Sequence, residues 1–228
     1  MLGGYKNVVV LTGAGISRAA GLATYRGPGG LWNDETKVAL STIEALESRR
    51  DEVTSMFWGF RDAIRKAEPT AAHKALAAFE HREQGAFTLV TQNVDGLHQA
   101  AGSHRVVEYH GTLSRWRCET CNRITEPPAG AQPACCGDSM RPDVVLFGEQ
   151  IPVGAEHQVK GALRDCDLFV AIGTSGTVWP AASFVRSAAY AGARTILLNL
   201  EISDDDRGAY AETYAGSADE LVPKFFGA

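Results

Sequence analysis

The chain has 228 residues, of which 45% are hydrophobic and 21% charged, values that are typical of a soluble globular protein. Its formal net charge of −5 gives it no general attraction for nucleic acid, and no apolar run approaches the ~20 residues that span a bilayer. Residues 1–11 lack the basic and apolar regions of a secretory signal. We therefore expect a cytoplasmic protein that binds neither nucleic acid nor membranes. The sequence leaves the oligomeric state unknown and is compatible with a monomer.

The first predicted element is an apolar strand over residues 7–12, and a glycine turn follows it directly. Gly13 and Gly15 permit a tight turn in which the backbone approaches a diphosphate at the start of a helix predicted over 15–21. The alternative is a strand–helix turn that needs two glycines for its own geometry. Arg18 occupies the position of the third glycine in the usual dinucleotide fingerprint, and no acidic residue ends a second strand ~20 residues later. Both departures argue against a hydride-transfer oxidoreductase.

Residues 27–69 interrupt the strand–helix pattern, with GPGG followed by two amphipathic helix candidates that end at Pro69. The pattern resumes with a helix predicted over 71–82, where apolar residues recur at helical spacing. The interruption therefore indicates an excursion from the main fold rather than a separate domain.

Polar side chains follow the strand predicted over 86–91, at the point where it ends. Gln92, Asn93 and Asp95 there face the predicted crevice and are candidates for a functional site. The alternatives are a turn-forming role for Asn93 and helix capping over 96–101 by Asp95. His110 ends the next short apolar segment, and an imidazole can act as a base at neutral pH or serve as a structural hydrogen-bonding group.

Four of the five cysteines lie close together in the sequence, within residues 113–142. Cys118 and Cys121 form a C-x-x-C pair, and Cys135 and Cys136 follow as an adjacent pair. Two thiolate pairs separated by a loop predict a structural, tetrahedral zinc ribbon. The second pair is irregular because it lacks the usual two intervening residues, which leaves a redox dithiol or a ligand from another residue as alternatives. Cys166 stands alone and is expected to be a buried small hydrophobe.

Further predicted elements complete the pattern. Gly173, Thr174 and Ser175 end one late strand, and Asn199 and Glu201 end another, so these strand ends can converge with the glycine turn on one nucleotide. Apolar runs without alternation indicate strands that are buried on both faces, hence an α/β fold with a doubly wound parallel sheet. The late elements are strands over 143–147, 167–173 and 195–200 and a helix over 179–191.

Taken together, eight motifs in order resemble those of the sirtuins, which are NAD-dependent protein-lysine deacylases. The motifs are GAGIS (13–17), TYRGPGGLW (24–32), TQNVDGLH (91–98), EYHG (108–111), CETC (118–121), RPDVVLFGE (141–149), GTS (173–175) and NLE (199–201). The resemblance implies a Rossmann-like NAD-binding domain of residues 1–26, 70–112 and 143–228. It also implies a small domain of residues 27–69 and 113–142, which combines a helical module with the zinc ribbon. Acyl-lysine would enter between the two domains.

The resemblance also assigns functional residues. His110 would be the general base, and Asn93 would act beside it. Segment 145–149 would pair with the substrate peptide as an added strand, through Val145, Phe147, Gly148 and Glu149. The residues implied in NAD binding are Gly13, Ala14, Gly15, Ser17, Tyr25, Arg26, Trp32, Gln92, Asn93, Val94, Asp95, Gly173, Thr174, Ser175, Asn199, Leu200, Glu201 and Ala218.

The acyl group is the least constrained part of the prediction. Sirtuins that remove succinyl or malonyl groups carry Tyr-x-x-Arg in the small domain, and we place Trp58 and Arg61 at those positions. Arg61 could then form a bidentate pair with an acyl carboxylate, which favours desuccinylation, with deacetylation as a second activity. The alternative is an ordinary amphipathic helix over 56–65 with Trp58 in the core and Arg61 in solvent.

Other functions remain open from sequence alone. A member of the sirtuin family could instead catalyse ADP-ribosyl transfer or NAD hydrolysis. If the resemblance does not hold, the alternatives are a hydride-transfer oxidoreductase and a non-enzymatic zinc-ribbon interaction module. The main reading predicts nicotinamide, O-acyl-ADP-ribose and free lysine as products, so product analysis separates the alternatives.

Overall fold

The computed structural model describes residues 4–24, 30, 33–82, 85–127 and 130–227. In this part of the chain the strands are β1 (Asn7–Thr12), β2 (Ala86–Thr91), β3 (Val106–Glu108), β4 (Gly111–Arg117), β5 (Ile124–Thr125), β6 (Ala134–Cys135), β7 (Asp138–Ser139), β8 (Arg141–Val144), β9 (Leu168–Ile172), β10 (Arg194–Asn199) and β11 (Glu212–Ala215). The α-helices are α1 (Glu35–Ala39), α2 (Ile43–Ser48), α3 (Arg50–Ile64), α4 (Ala71–Arg82), α5 (Leu97–Ala100), α6 (Val153–Arg164), α7 (Phe184–Tyr190), α8 (Asp204–Ala209) and α9 (Ala218–Phe226).

Six strands form the main sheet in the order β11-β10-β9-β1-β2-β3, and every neighbouring pair is parallel. Val8 of β1 lies between Phe87 of β2 and Leu168 of β9. The order reverses direction between β1 and β9, as in the doubly wound nucleotide-binding fold, and the crevice beyond the carboxyl ends of these strands is where such sheets bind ligands. The predicted fold class is confirmed.

Helices cover both faces of this sheet, which explains why its central strands are apolar without alternation. On one face, α4 and α9 pack through Phe79 and Phe226, whose ring centroids lie 4.9 Å apart. On the other face, α6 and α7 bury Leu163 and Phe184. Each such side chain, when fully buried, contributes about 1.5–3 kcal/mol of transfer free energy, so the two clusters hold the sheet rigid beneath the crevice.

The prediction of a parallel strand over 143–147 is wrong. Residues 141–144 form β8, which pairs antiparallel with β4 in a small three-stranded sheet, β5-β4-β8. The following residues leave the strand, and Leu146 is buried against α2 and α3 together with Leu46 and Val53. An apolar run covered by helices has the same composition as one buried in a sheet, so sequence alone did not separate them.

Other elements differ from prediction mainly at their ends. The helix expected over 179–191 is a 3₁₀ turn, Ala181–Ser183, followed by α7. The helix expected over 15–21 is a 3₁₀ helix, Ala14–Ala20. Strands β3 and β11 extend the sheet at its two edges and were not predicted.

The predicted domain boundaries at residues 26, 69, 112 and 142 stay a prediction. Among the helices described here, none has the length and apolarity needed to cross a lipid bilayer.

Candidate active site

The glycine turn after β1 packs backbone against backbone on the turn after β9. Gly15 N–H donates to the Gly173 carbonyl at 2.9 Å. A Cβ on Gly13 would lie 2.7 Å from Gly173 O, and one on Gly15 would lie 2.6 Å from Gly173 Cα. Gly173 itself has a φ of +60°. The glycines are therefore required by the turn's own packing, which was the alternative interpretation, and that packing leaves their backbone at the mouth of the crevice.

A cleft of 1110 Å³ opens beyond the strand ends at this turn. Its volume is at the upper end of the about 300–1,000 Å³ that is typical of small-molecule sites. Tyr25, Arg26 and Trp32 lie outside the described residues. The predicted site residues that line the cleft are Gly13, Ala14, Gly15, Gln92, Val94, His110, Val145, Phe147, Gly148, Glu149, Gly173, Thr174, Ser175, Asn199, Leu200, Glu201 and Ala218.

Three predicted NAD-binding residues, Ser17, Asn93 and Asp95, are not among the lining residues and form a hydrogen-bonded chain behind the turn. Asn93 Nδ2 donates to Gly13 O at 3.1 Å and to Ser17 Oγ at 3.2 Å, and Ser17 Oγ donates to Asp95 Oδ2 at 2.6 Å. Asp95 also accepts a bond from the Leu97 N–H at the start of α5, although the N-cap residue of this helix is Gly96 and not Asp95. In this structure the three side chains fix the glycine turn.

His110 lines the cleft between the main sheet and the small sheet. Its Nδ1 lies 3.2 Å from the Gln92 carbonyl oxygen. A carbonyl can only accept, so Nδ1 carries the proton and Nε2 keeps a free lone pair. Burial lowers the pKa of His110, although the bond to Gln92 opposes this shift. The imidazole is therefore neutral at pH 7 and able to take up a proton.

The end of the cleft near β10 is polar. Asn199 Nδ2 donates to Thr174 O at 3.1 Å and its Oδ1 accepts from Leu200 N–H, so the two strand ends are tied together. Sequence reasoning missed seven polar residues that line the cleft. Two of them are helix N-cap serines that follow sheet strands, a signal that could have found them. The seven are Arg18, Thr24, Ser41, Ser203, Asp206, Ser217 and Asp219.

Two buried histidines lie beneath the glycine turn and do not line the cleft. His98 Nε2 is 2.9 Å from Thr12 Oγ1, and His73 Nδ1 is 2.9 Å from the hydroxyl oxygen of Thr70. Their ring centroids are 4.7 Å apart. Burial lowers the pKa of both rings, most strongly for His98, so the pair is neutral at pH 7.

The opposite wall of the cleft is apolar. Phe57 and Phe60 of α3 reach it from one side, and their rings meet edge to face with centroids 5.9 Å apart. We call Phe57, Phe60, Leu113, Val144 and Leu146 the apolar wall; all five line the cleft and belong to one hydrophobic cluster.

Trp58 and Arg61 are not among the residues that line the cleft, and their role in acyl binding stays a prediction. The Trp58 ring packs on Trp116 with centroids 5.3 Å apart, and the Arg61 guanidinium stacks on Trp58 at 4.8 Å. Arg61 is 6% exposed and donates to the Pro127 carbonyl. Successive residues point about 100° apart on a helix, so Trp58 and Arg61 lie on a different face of α3 from Phe57 and Phe60.

Cys118, Cys121, Cys135 and Cys136 converge, with all four sulfur atoms within 4.8 Å of one another. The Cys121–Cys135 and Cys135–Cys136 sulfur distances are 3.6 and 3.8 Å. A tetrahedron with Zn–S bonds of about 2.3 Å places its sulfur atoms about 3.8 Å apart, so the residues fit zinc. Cys136 (φ +53°) and Gly137 (φ +89°) are the central residues of the β6–β7 hairpin. This turn with two positive φ values lets adjacent cysteines share one site.

Comparison with known proteins agrees with this geometry. The model of the Sir2 family matches residues 13–180. A curated NAD-dependent protein deacylase of Shewanella oneidensis is 41% identical over 96% of this chain and 93% of its own length, and one of Thermus thermophilus is 43% identical over 86% and 80%. A solved Sir2 homologue–NAD complex has a TM-score of 0.88 and 32% identity, covering 98% of this chain and 89% of that chain. The chain belongs to the Sir2 family.

Proposed function

We propose that the protein is an NAD-dependent protein-lysine deacylase. The reaction consumes NAD and one water, joins the acyl group of a lysine side chain to ADP-ribose as an ester, and releases nicotinamide and free lysine. The observation that carries this proposal is the position of His110. A neutral imidazole with a free Nε2 lines the same cleft as the glycine turn and the apolar wall. The curated relatives named as NAD-dependent protein deacylases support it.

The polar side of the cleft fits NAD. The buried Asn93 Oδ1 has no hydrogen-bond partner among the described residues, and the glycine turn that Asn93 supports lines the cleft. We infer that residues 13–15 and Arg18 hold the diphosphate, since glycines let the backbone approach it closely and a cation at the cleft favours negative charge. Ser175, Asn199 and Glu201, with Ala218 alongside, would hold the adenosine half through hydroxyl, amide and carboxylate groups.

We assign to His110 the role of general base. When NAD is bound, its ribose supplies the hydroxyl group that must lose a proton. The Gln92 carbonyl fixes the tautomer, and burial keeps the ring neutral, so Nε2 can accept that proton at pH 7. Asn93 acts by supporting the turn rather than by taking up a proton, because an amide has no basic nitrogen.

The substrate peptide would run along segment 144–149. Val145 N–H donates to the His110 carbonyl at 2.9 Å, so this segment is tied directly to the proposed base. Phe147 is 45% exposed at the rim. An extended peptide beside this segment would bring its acylated lysine between His110 and the apolar wall, a form of strand addition.

The apolar wall favours a neutral acyl group over a carboxylate. Phe57 and Phe60 offer no hydrogen-bond donor, and Arg61, the expected partner of a succinyl group, is buried on another face of α3. Burying a carboxylate against five apolar side chains without a partner is costly. We therefore propose deacetylation, or removal of other uncharged acyl groups, in place of the desuccinylation preference expected from sequence.

The four cysteines would hold zinc as a structural cross-link. Four thiolates complete a tetrahedral shell and leave no position for water or substrate, so the ion would stabilise the fold and take no part in acyl transfer.

One assay tests the proposal. The protein is mixed with NAD and matched acetyl-lysine and succinyl-lysine peptides, and the nucleotide product is identified by mass spectrometry. We expect O-acetyl-ADP-ribose, faster with the acetyl peptide. ADP-ribose formed equally without peptide would indicate NAD hydrolysis, ADP-ribosylated peptide would indicate transfer, and unchanged NAD would refute the proposal.

A further inference from the structure

Eight charged side chains of alternating sign form a continuous chain along the small sheet. Successive nitrogen–oxygen distances run from 2.6 to 3.9 Å, except for the Arg50–Glu119 pair, which is also in contact. The chain starts two residues before His110 and ends on α3. Its members in order are Glu108, Arg115, Asp143, Arg117, Glu149, Arg141, Glu119 and Arg50.

Arg141 is the buried member of this chain, with a side chain that is 0% exposed. Its Nη1 and Nη2 donate to the two carboxylate oxygens of Glu149 at 2.6 and 2.8 Å. Its Nη2 also donates to the Val144 carbonyl at 2.9 Å, and Nη1 lies 3.5 Å from Glu119. A planar guanidinium can hold all these acceptors at once, which an ammonium group cannot.

The Glu149 carboxylate is therefore already hydrogen-bonded to other groups of the protein. Besides Arg141, its Oε2 accepts from the Leu146 N–H at 2.8 Å, and its own N–H donates to the Leu146 carbonyl at 3.0 Å. These bonds close a loop around residues 144–149, which form the cleft wall next to His110. The carboxylate is therefore poorly placed to bind a substrate peptide directly.

We propose that Arg141 and Glu149 are positioning residues for peptide binding, whose bidentate pair fixes the shape of segment 144–149. This inference rests on the proposed function, because it concerns the peptide side of the same cleft. Glu119, which follows the ligand candidate Cys118, connects the pair to the cysteine site.

The Arg141–Glu149 pair is expected to affect the geometry of the cleft wall more than the stability of the fold. A buried ion pair gains little net folding energy over apolar packing, since desolvation offsets the attraction, but it accepts only one geometry. The pair holds two backbone groups of segment 144–149, Val144 C=O and Leu146 N–H, in that geometry. Loss of the pair should therefore weaken peptide binding much more than NAD binding.

The test compares Arg141→Lys, Glu149→Gln and Glu119→Gln with the wild type. For each, KM and kcat are measured for an acetyl-lysine peptide and for NAD, and binding of a fluorescently labelled peptide is measured by anisotropy. We expect KM for the peptide to rise about tenfold in Arg141→Lys, with KM for NAD within about twofold, since one charge-assisted pair of bonds is worth roughly that factor. Glu149→Gln should behave alike, and Glu119→Gln should show the same trend more weakly.

Arg194→Lys is the matched control. Arg194 makes a bidentate pair with Glu212, at 2.5 and 2.9 Å, on the edge of the main sheet away from the cleft. Its replacement should leave both KM values unchanged. Zinc content and thermal unfolding are recorded for every variant. If Arg141→Lys does not fold, the KM values of Glu149→Gln and Glu119→Gln test the inference.

The outcomes are distinct. The inference is overturned if the wild type turns over the peptide but the variants behave like Arg194→Lys, or if the variants raise KM for the peptide and for NAD equally. Either result leaves the proposed function standing. A wild type that neither binds the peptide nor consumes NAD overturns the proposed function itself.

Discussion

The cleft has two unlike walls, and each is built by a different kind of contact. On the polar side, backbone meets backbone at Gly13, Gly15 and Gly173, with no room for a Cβ. On the apolar side, side chains such as Phe57 and Phe60 meet one another in an ordinary hydrophobic cluster. Close backbone contact tolerates no added atom, whereas a cluster of side chains can repack. Changes on the polar side should therefore abolish the reaction, and changes on the apolar side should redirect it.

The largest effect is expected for His110→Ala. Removal of a general base slows a reaction by about 10²–10⁴-fold, and we expect kcat to fall by that factor while NAD still binds. Steady-state kinetics and calorimetric titration with NAD measure the two quantities. If His110→Ala retained most of the activity, His110 could not be the general base.

Gly15→Ala tests the closeness of the backbone contact. Its new Cβ would lie 2.6 Å from Gly173 Cα, so the turn must shift, and we expect a loss of about 1–3 kcal/mol in unfolding free energy together with weak NAD binding. Gly161→Ala in α6 is the matched control. A Cβ there meets nothing within 4 Å, and the change should stabilise the helix by about 0.5–1 kcal/mol. Equal effects of the two substitutions in urea titrations would contradict the account.

Substitutions on α3 distinguish its two faces. Phe60→Arg places a cation in the apolar wall, so the ratio of kcat/KM for succinyl-lysine over acetyl-lysine should rise about tenfold, because a charge-assisted pair becomes possible there. Arg61→Gln should leave this ratio unchanged, since Arg61 is turned toward Pro127. A selective loss of desuccinylation in Arg61→Gln would return the acyl site to the face predicted from sequence.

The smallest effect is a pH dependence of stability that arises beneath the polar wall. Burial lowers the pKa of His73 and His98 below 6.5, so below that pH the unfolded chain binds more protons than the folded protein. Stability should therefore fall as pH drops from about 6.5, by at most about 1.4 kcal/mol per pH unit for each ring. Urea unfolding at pH 7.5 and 5.5 measures this loss, which should shrink in His98→Gln. An equal loss in the variant would show that other groups are responsible.

The sequence predicted the polar wall better than the apolar wall for a geometric reason. Every parallel strand ends at the same edge of the sheet, so Gln92, Thr174 and Asn199 could be placed together once β2, β9 and β10 were recognised. Helical spacing, in contrast, indicates that a helix has an apolar face, but it does not indicate which of the apolar residues on that face line a cleft. Trp58 and Phe57 are both apolar neighbours on α3, and only the packing of Trp58 against Trp116 separates them.

Contacts between residues that lie far apart in the chain could not be predicted from the sequence either. The resemblance implied that Glu149 pairs with the substrate peptide, and its engagement by Arg141 depends on the antiparallel pairing of β8 with β4. The joint cysteine site, in contrast, followed from spacing, and only the positive φ of Cys136 was needed to explain the adjacent pair.

The central claim is that a single cleft brings His110, the glycine turn and the apolar wall around one ribose and one acylated lysine. A crystal structure with NAD and an acetyl-lysine peptide tests it most directly. We expect the diphosphate at residues 13–15, the acetyl group against Phe57 and Phe60, and His110 Nε2 within about 2.6–3.2 Å of a ribose hydroxyl. NAD bound with its ribose out of reach of His110, or a peptide bound outside segment 144–149, would contradict the account.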